Sequence, residues 1–424
     1  MLGDLMSGGI ARALRYPQYR NFAAGDVTSL IGTWVQRVAI GWLTWELTHS
    51  GAWLGIVAFA ELGPSILFSP IGGAHADRFE RRLMAMSTEI LLMLQSLAFV
   101  LLVFTGWIDI WWVVALTGLR GALNSWSHPA RQSLISSLVP RDQLPTAVSM
   151  NAVLFNIARF IGPAIAGLII VEWGIGYAFL VNTASFVLFI WVLYRLRPAY
   201  ADKIERKRQP LMTQLLEGYG YVIRHPGIGP IMLMLLLTAL FGRPIAELLP
   251  GFAGAVYENG AQGLAWMTSS MGVGAMIGGF IIAQRGQVSG LTRIVMAMTC
   301  LMGLSLLVFA MVPWFWAALI AIAIASCAIA TMSISCQSLI QTQVDGALRG
   351  RVISVYGMIF RMGPALGALI MGGLVDNLGW RWPIAGGAAV CLATWWWGQR
   401  RAGRIGAVME KPPEKPAAEK PVGA

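Results

Sequence analysis

Lys and Arg in this 424-residue chain are confined almost entirely to short segments between long apolar runs, and to every second one of those segments. Twenty-five of the 31 basic residues obey the rule: Arg12, Arg15 and Arg20; Arg78, Arg81 and Arg82; Arg131 and Arg141; a group from Arg195 to Arg224; Arg285 and Arg293; Arg349 and Arg351; and six from Arg400 to Lys420. A chain that threads a bilayer retains Lys and Arg in its cytoplasmic loops. The alternation therefore predicts a polytopic membrane protein with both termini in the cytoplasm. Its net charge of +11 is accounted for by those loops, which removes the reason to expect a nucleic-acid partner.

Only 12% of the residues are charged and 57% are hydrophobic, against about 25% charged in soluble proteins. Crossing about 30 Å of hydrocarbon takes around 20 apolar residues in a helix rising about 1.5 Å per residue. The chain offers twelve stretches near that length. Six lie near Phe22–Leu47, Trp53–Ile71, Leu83–Phe104, Trp111–Ile135, Ala147–Val171 and Tyr177–Tyr194. Six more lie near Ile228–Leu249, Ala265–Ala283, Leu291–Val312, Trp314–Ile334, Val352–Val375 and Trp382–Trp397. Trp53, Trp107, Trp111, Trp173, Trp314, Trp316, Trp380 and Trp382 fall at the predicted outer ends, where amphipathic rings favour the interface. The expected fold class is an all-α membrane protein with twelve transmembrane helices, without a cleavable signal and without an extramembrane domain.

The two halves repeat weakly. Gln132-Ser133-Leu134-Ile135 recurs as Gln337-Ser338-Leu339-Ile340 at an offset of 205, and Gly162-Pro163-Ala164 as Gly363-Pro364-Ala365 at an offset of 201. The difference is about one helical turn, which keeps the same face toward the neighbours. Arg37 and Arg243 correspond in the same way. This predicts two pseudo-symmetric six-helix bundles: a cytoplasmic segment 1–21, a first bundle 22–195, a linker 196–227 with an amphipathic helix, a second bundle 228–399, and a Pro-rich disordered tail 400–424.

After the second span comes Gly73-Ala74-His75-Ala76-Asp77-Arg78-Phe79-Glu80-Arg81-Arg82. It resembles the signature loop between helices two and three of the major facilitator superfamily, departing from it at His75 and Glu80. The resemblance implies the major facilitator fold and a cytoplasmic gate formed by Gly73, Asp77, Arg78, Arg81 and Arg82. Gly162-Pro163 with Gly167, repeated as Gly363-Pro364 with Gly367, resembles the helix-kinking motif of the superfamily's exporters; proline removes a backbone donor and glycine lets helices approach. Pro129-Ala130-Arg131-Gln132, Val139-Pro140-Arg141, Gly32, Trp34, Gln36 and Glu247-Leu248-Leu249-Pro250 are similar to the branch of enterobactin-type siderophore exporters and multidrug effluxers.

An ionised group at the bilayer centre costs at least about 2.5 kcal/mol, so each embedded charge calls for a reason. Glu61 and Arg120 lie at matching depth in the second and fourth spans and are expected to meet near the midplane, as a proton-coupling pair or as a static ion pair. Arg243 and Glu247 stand four apart and should share a face. Gly242 and Pro244 predict an interruption of that helix. Arg37, Arg159 and Arg361 are further cavity candidates, and together these arginines suit an anionic substrate such as a catecholate or carboxylate. Asp26 is expected near the cytoplasmic interface with a possible part in proton handling, and Glu89 as a packing or surface residue. His49, His75, His128 and His225 are scattered at span ends, and the four cysteines lie in apolar spans without metal or disulfide spacing.

No nucleophile motif, metal motif or P-loop is present, so neither an enzyme nor an ATP-driven pump is expected. No catalytic residue, metal or cofactor is assigned. The reading is a proton-coupled secondary exporter of a siderophore-like or drug-like molecule by alternating access, a monomer in a bacterial inner membrane with bilayer, substrate and protons as its partners. A lipid or metabolite flippase or importer of the same fold, and a non-transporting receptor or scaffold, are the competing classes.

Overall fold

The computed structural model describes residues 10–76, 80–197, 211–285, 287–344 and 346–410. Among them the regular structure is helical throughout. After a short α1 (Ile10–Ala13) come α2 (Pro17–Thr48), α3 (Gly51–Ala76), α4 (Arg81–Phe104), α5 (Ile110–Ile135), α6 (Leu144–Trp173) and α7 (Ile175–Arg195). The second half has α8 (Leu211–Arg224), α9 (Ile228–Phe241), α10 (Ile245–Gly251), α11 (Gly260–Arg285), α12 (Leu291–Met311), α13 (Phe315–Gln343), α14 (Gly346–Leu378), α15 (Arg381–Gln399) and α16 (Ala402–Met409). Eight stretches among the described residues are long and apolar enough to cross a membrane: α4, the stretch ending in α6, α7, the stretch covering α9 and α10, α11, α12, α13 and most of α14. Helices α2, α3, α5 and α15 have 32, 26, 26 and 19 residues, so each also reaches spanning length.

Local chemistry sets the ends. Asp109 accepts a hydrogen bond from Trp112 N at 2.9 Å and caps α5. His225 Nδ1 accepts from the backbone N–H groups of Gly227 and Ile228 where α9 begins. Gly174 and Gly379, at φ 95° and 79°, stop α6 and α14 in a conformation that glycine adopts without strain. Pro163 and Pro364 lie inside α6 and α14, and both helices run on past them. The predicted interruption of the seventh span is present: α9 ends at Phe241, Gly242, Arg243 and Pro244 form a turn, and α10 leads into a π-turn over Phe252–Val256.

Helix pairing repeats between the halves. In the first, α2 packs on α6 and α7, α3 on α5, and α4 on α5 and α7; in the second, α9 packs on α14 and α15, α11 on α13, and α12 on α13 and α15. Close approach at small residues carries the correspondence. A Cβ on Gly162 would strike the Cβ of Trp34, and one on Gly363 would strike that of Ala239, which stands 205 residues after Trp34. Between the halves, α3 packs on α14 and α6 on α11. Gly51 faces the backbone of Gly372, Gly55 that of Ala368, and Gly167 the Cβ of Ala265.

These cross-half contacts gather toward the end that carries the tryptophans. There Trp45 stacks edge-on to Trp380 at 5.3 Å and Trp53 to Trp111 at 5.2 Å. The opposite, basic end holds Arg81, Arg82, Arg131, Arg195, Arg285 and Arg351. On α6 the residues nearer that end, including Val148, Val153 and Phe155, are 47%, 42% and 43% exposed. The linker helix α8 packs on α14 and ties to it through a Glu217–Arg351 ion pair.

One expectation is corrected in the tail. Residues 402–409 form α16 instead of disordered chain, because Ile405 and Met409 are buried in the second-half core and Met409 packs over Gly227. Residues 411–424 lie outside the described residues. Glu410 completes the docking, its carboxylate accepting from Gly290 N at 2.6 Å and Thr292 N at 2.8 Å and so capping α12. Partial burial works against its charge, but those N–H groups outweigh burial and hold the carboxyl below the ordinary 4.5. A depressed carboxylate stabilises its contact above the free value and loses it only as pH falls through the lowered one. A fluorophore on Ala407→Cys should therefore report a docked α16 at pH values above 4.5, with release only in more acidic solution; Glu410→Gln should loosen α16 at every pH.

Candidate functional site

Glu61 on α3 and Arg120 on α5 meet as expected: Arg120 Nη2 lies 3.4 Å from Glu61 Oε1. Gly121 brings them together, since it lies so close to α3 that a Cβ there would collide with the Glu61 carbonyl. Arg120 is 5% exposed, and its Nη1 is buried without a hydrogen-bond partner. A second pair joins the two halves. Arg37 Nη2 on α2 donates to Glu247 Oε1 on α10 at 2.6 Å, the short length of a charge-assisted bond. Arg37 also lies within electrostatic reach of Glu61. The four groups thus form one row of alternating sign, Arg120, Glu61, Arg37 and Glu247, running from the first half into the second.

The broken helix separates Arg243 from Glu247, which the four-residue spacing had placed on a common face. In the turn Arg243 points elsewhere: its Nη1 donates to the Phe360 carbonyl at 3.1 Å and its guanidinium lies 3.8 Å from the Phe360 ring. Arg159 lies 5.8 Å and Arg37 5.3 Å from the ring of Trp34. Arg361 is exposed on α14, within electrostatic reach of His128 on α5. Among the described residues, Arg159, Arg243 and Arg361 form no ion pair. A guanidinium carries five N–H donors in a fixed fork, so these three present unused donors, those of Arg159 and Arg243 beside aromatic faces.

A second charged cluster was missed in the sequence. Arg131, counted there with the basic loops, lies inside α5, and Glu89 on α4 is completely buried, the packing place of the two expected for it. Arg131 Nε and Nη2 donate to Glu89 Oε1 and Oε2 at 2.9 and 2.8 Å, and Ser127 Oγ donates to Glu89 Oε1 at 2.8 Å. Arg131 Nη2 also donates to Ser29 Oγ at 2.8 Å, and its Nη1 lies 3.1 Å from Asp26 Oδ1. Asp26, expected near the interface, is 3% exposed. Depth gave part of the signal: Asp26 and Glu89 sit nine and eight residues in from the basic ends of α2 and α4, whereas Arg131 is four residues from the end of α5 and reaches them through its long side chain.

Of the gate motif, Asp77 and Arg78 lie outside the described residues, and Gly73 is in the last turn of α3. Arg81 Nη1 donates to the Ser133 carbonyl at 3.2 Å, and Arg82 donates to the carbonyls of Leu196 and Tyr194 at 2.9 Å each. These bonds stay within the first half. At the tryptophan-lined end a different acid spans the halves. Asp376, at the end of α14, accepts from Ser50 Oγ at 2.6 Å, Gly51 N at 2.7 Å and Ala52 N at 3.2 Å. The first N–H groups of a helix have no partner inside it, and α3 takes its cap from the other half of the chain. An acid just past the eleventh span, opposite a helix start without its own acidic cap, was the overlooked sign.

The sequence model of the family described as transmembrane secretion effector matches residues 10–416. The chain is 22% identical over 381 residues to macrolide efflux protein A of Streptococcus pyogenes, covering 87% of this chain and 93% of that protein. It is 24% identical over 367 residues to the enterobactin exporter EntS of Escherichia coli, covering 85% of each. Among solved structures it matches a bacterial homologue of the human lysosomal transporter Spinster with a TM-score of 0.66 at 15% identity, over 93% of this chain and 97% of that one. The chain accordingly belongs to the transmembrane secretion effector family of the major facilitator superfamily. It is a multi-pass membrane transporter and not an enzyme.

Two outcomes follow from the geometry. Glu89→Gln breaks a bidentate pair inside the helix core and should lower unfolding stability by roughly 3 kcal/mol, measured by thermal unfolding in detergent. Asp376→Ala removes the cap that α14 gives α3. In a protein whose native cysteines are replaced by serine, it should raise maleimide labelling of Val375→Cys, a site 2% exposed here, at least severalfold.

Proposed function

We propose that this chain is a secondary active transporter that exports a small organic molecule, siderophore-like or drug-like, by proton-coupled alternating access. It works as a monomer in a bacterial inner membrane, with twelve spans in two six-helix bundles and both termini in the cytoplasm. The repeated pairing of helices and the matched contacts of Gly162 and Gly363 support the two-bundle reading. The basic loops support the orientation. With that orientation the tryptophan-lined end is the outer one, and the state described is closed outside.

The observation that carries the reading is the alternating row Arg120, Glu61, Arg37, Glu247, which crosses from one half to the other. Charges so embedded are costly unless paired, so a change at one member forces the others to find new partners. Glu61 lies ten residues from the start of α3 at the tryptophan-lined end, about 15 Å along the helix. A proton reaching it from outside would neutralise the carboxylate and free Arg120. The proton-loaded carrier would then return inward while cargo leaves on the opposite stroke. Because Arg37 and Glu247 belong to different halves, the rearrangement acts on the contact about which the halves rock.

Arg159 beside Trp34, Arg243 beside Phe360 and the exposed Arg361 suit a cargo bearing carboxylate or catecholate groups on a planar ring. The named relatives, a macrolide efflux protein and an enterobactin exporter, support efflux as the direction. In inverted membrane vesicles with an imposed proton gradient, Glu61→Gln should abolish the proton movement that accompanies transport of the secreted compound, found by comparing metabolites exported with and without the gene. Coupling equal to that of the unmutated protein would refute the assignment.

A further inference from the structure

Glu61 stands within the row of charges that crosses the halves, beside Arg120 and Arg37. A second proton site set apart from that row would act on the cycle through helix position instead of through its own field on the cargo. The cluster at the basic end of the first half has that character, and we propose that Asp26, within the Asp26–Arg131–Glu89 cluster, is a proton-binding site of this transporter. The inference rests on the proton-coupled reading above and adds to it a second site.

Charge balance is the first ground. Two carboxylates share one guanidinium, and Asp26, Glu89, Ser29 and Ser127 are 3%, 0%, 0% and 4% exposed. With both acids ionised the cluster carries one uncompensated negative charge inside the helix core, the arrangement that costs most in a medium of low dielectric. A bound proton removes it. Geometry then decides which acid takes the proton. Glu89 receives two hydrogen bonds from Arg131 and one from Ser127, so its ionised form is well served. Asp26 Oδ1 lies 3.1 Å from Arg131 Nη1 but outside hydrogen-bond alignment, and it is a buried oxygen without any hydrogen-bond partner.

Among the described residues, Arg131 and Glu89 are the charged groups that act on Asp26. On its own helix Tyr19 gives its hydroxyl proton to the Ala147 carbonyl of α6. Helix α7 presents Phe189 and Val192 against Gly25, and Phe189 lies under the Arg131 guanidinium at 4.6 Å. Helix α4 presents Glu89, and α5 presents Arg131, whose field reaches His128 one turn earlier. When the proton leaves, Asp26 competes with Glu89 and Ser29 for Arg131. Since those groups stand on α2, α4 and α5, the exchange alters the register of the helices that carry Arg37, at one end, and Arg120, at the other. The cycle needs only that the proton move between Asp26 and water on the side that is open.

Infrared spectroscopy of the purified full-length protein reads the bound proton directly, through the C=O stretch of a neutral carboxyl group and its shift in deuterium oxide. No cargo or gradient is involved. At neutral pH the unmutated protein should show this band; Asp26→Asn should remove it, and Glu61→Gln should leave it. Asp26→Glu keeps a carboxyl group and should move the band to a different frequency, which serves if Asp26→Asn does not fold. A spectrum without a neutral-carboxyl band between neutral pH and mild acid overturns the proposal. So does a band that survives Asp26→Asn or disappears only with Glu89→Gln. Proton coupling at Glu61 is read by the vesicle experiment, so either site can fail while the other stands.

Discussion

A charge without a partner is the one thing the interior of this molecule can least accommodate, and the arrangement of its helices follows from that. Spanning helices satisfy their own backbone groups, and lipid tails are as apolar as leucine, so apolar contact alone gives little drive for association. Specificity comes from small residues that let backbones touch and from polar groups that must find each other. Gly121 illustrates both, because the contact it permits between α5 and α3 is what delivers Arg120 to Glu61. Remove the close approach and the ion pair is lost with it.

The charges divide into three sets with different consequences. Arg131 with Glu89 and Asp26 lies wholly within the first half and binds α2, α4 and α5 to one another. Glu61 with Arg120 is also internal to that half, but it is extended by Arg37 to Glu247 on the other side. Arg159 and Arg243 lie against the rings of Trp34 and Phe360, and none of Arg159, Arg243 and Arg361 forms an ion pair among the described residues, a cost that a bound anion would relieve. Five arginines and two glutamates therefore stand about the contact between the halves, an excess of positive charge that a purely structural network would not need.

Much of the fold was legible because it depends on one-dimensional pattern. Apolar length, alternation of basic loops and the Gly-Pro repeat are local properties, and the break at Gly242 and Pro244 was visible for the same reason. Glu61 and Arg120 were paired correctly because depth can be counted from the same end along two helices that both run inward. Arg243 was misplaced because a helical spacing rule fails across the break that the same residues create. Arg131 was read as a loop charge since its position near a span end looks identical whether the side chain turns to water or into the core. Glu89 and Asp376 escaped because their partners lie on other helices, and no periodicity in a single segment encodes which neighbour it will face. Helix α16 escaped because proline and lysine further along dominated the composition of the tail, while two buried residues, Ile405 and Met409, decide its docking.

Asp376 shows how the two ends of such a molecule are linked. Its carboxylate belongs to the second half, but the N–H groups it satisfies open a helix of the first, and α3 is the helix that carries Glu61. A movement of α14 away from α3 would therefore uncap α3 at one end while disturbing the packing of Gly55 on Ala368 along its length. The loop that follows α3 at the basic end carries Asp77, for which the superfamily resemblance implies a comparable part there. One helix would then be held by an acid near whichever end is shut. Closing either end would require surrendering the cap at the other, and a charge change at Glu61, midway along the same helix, would bear on both.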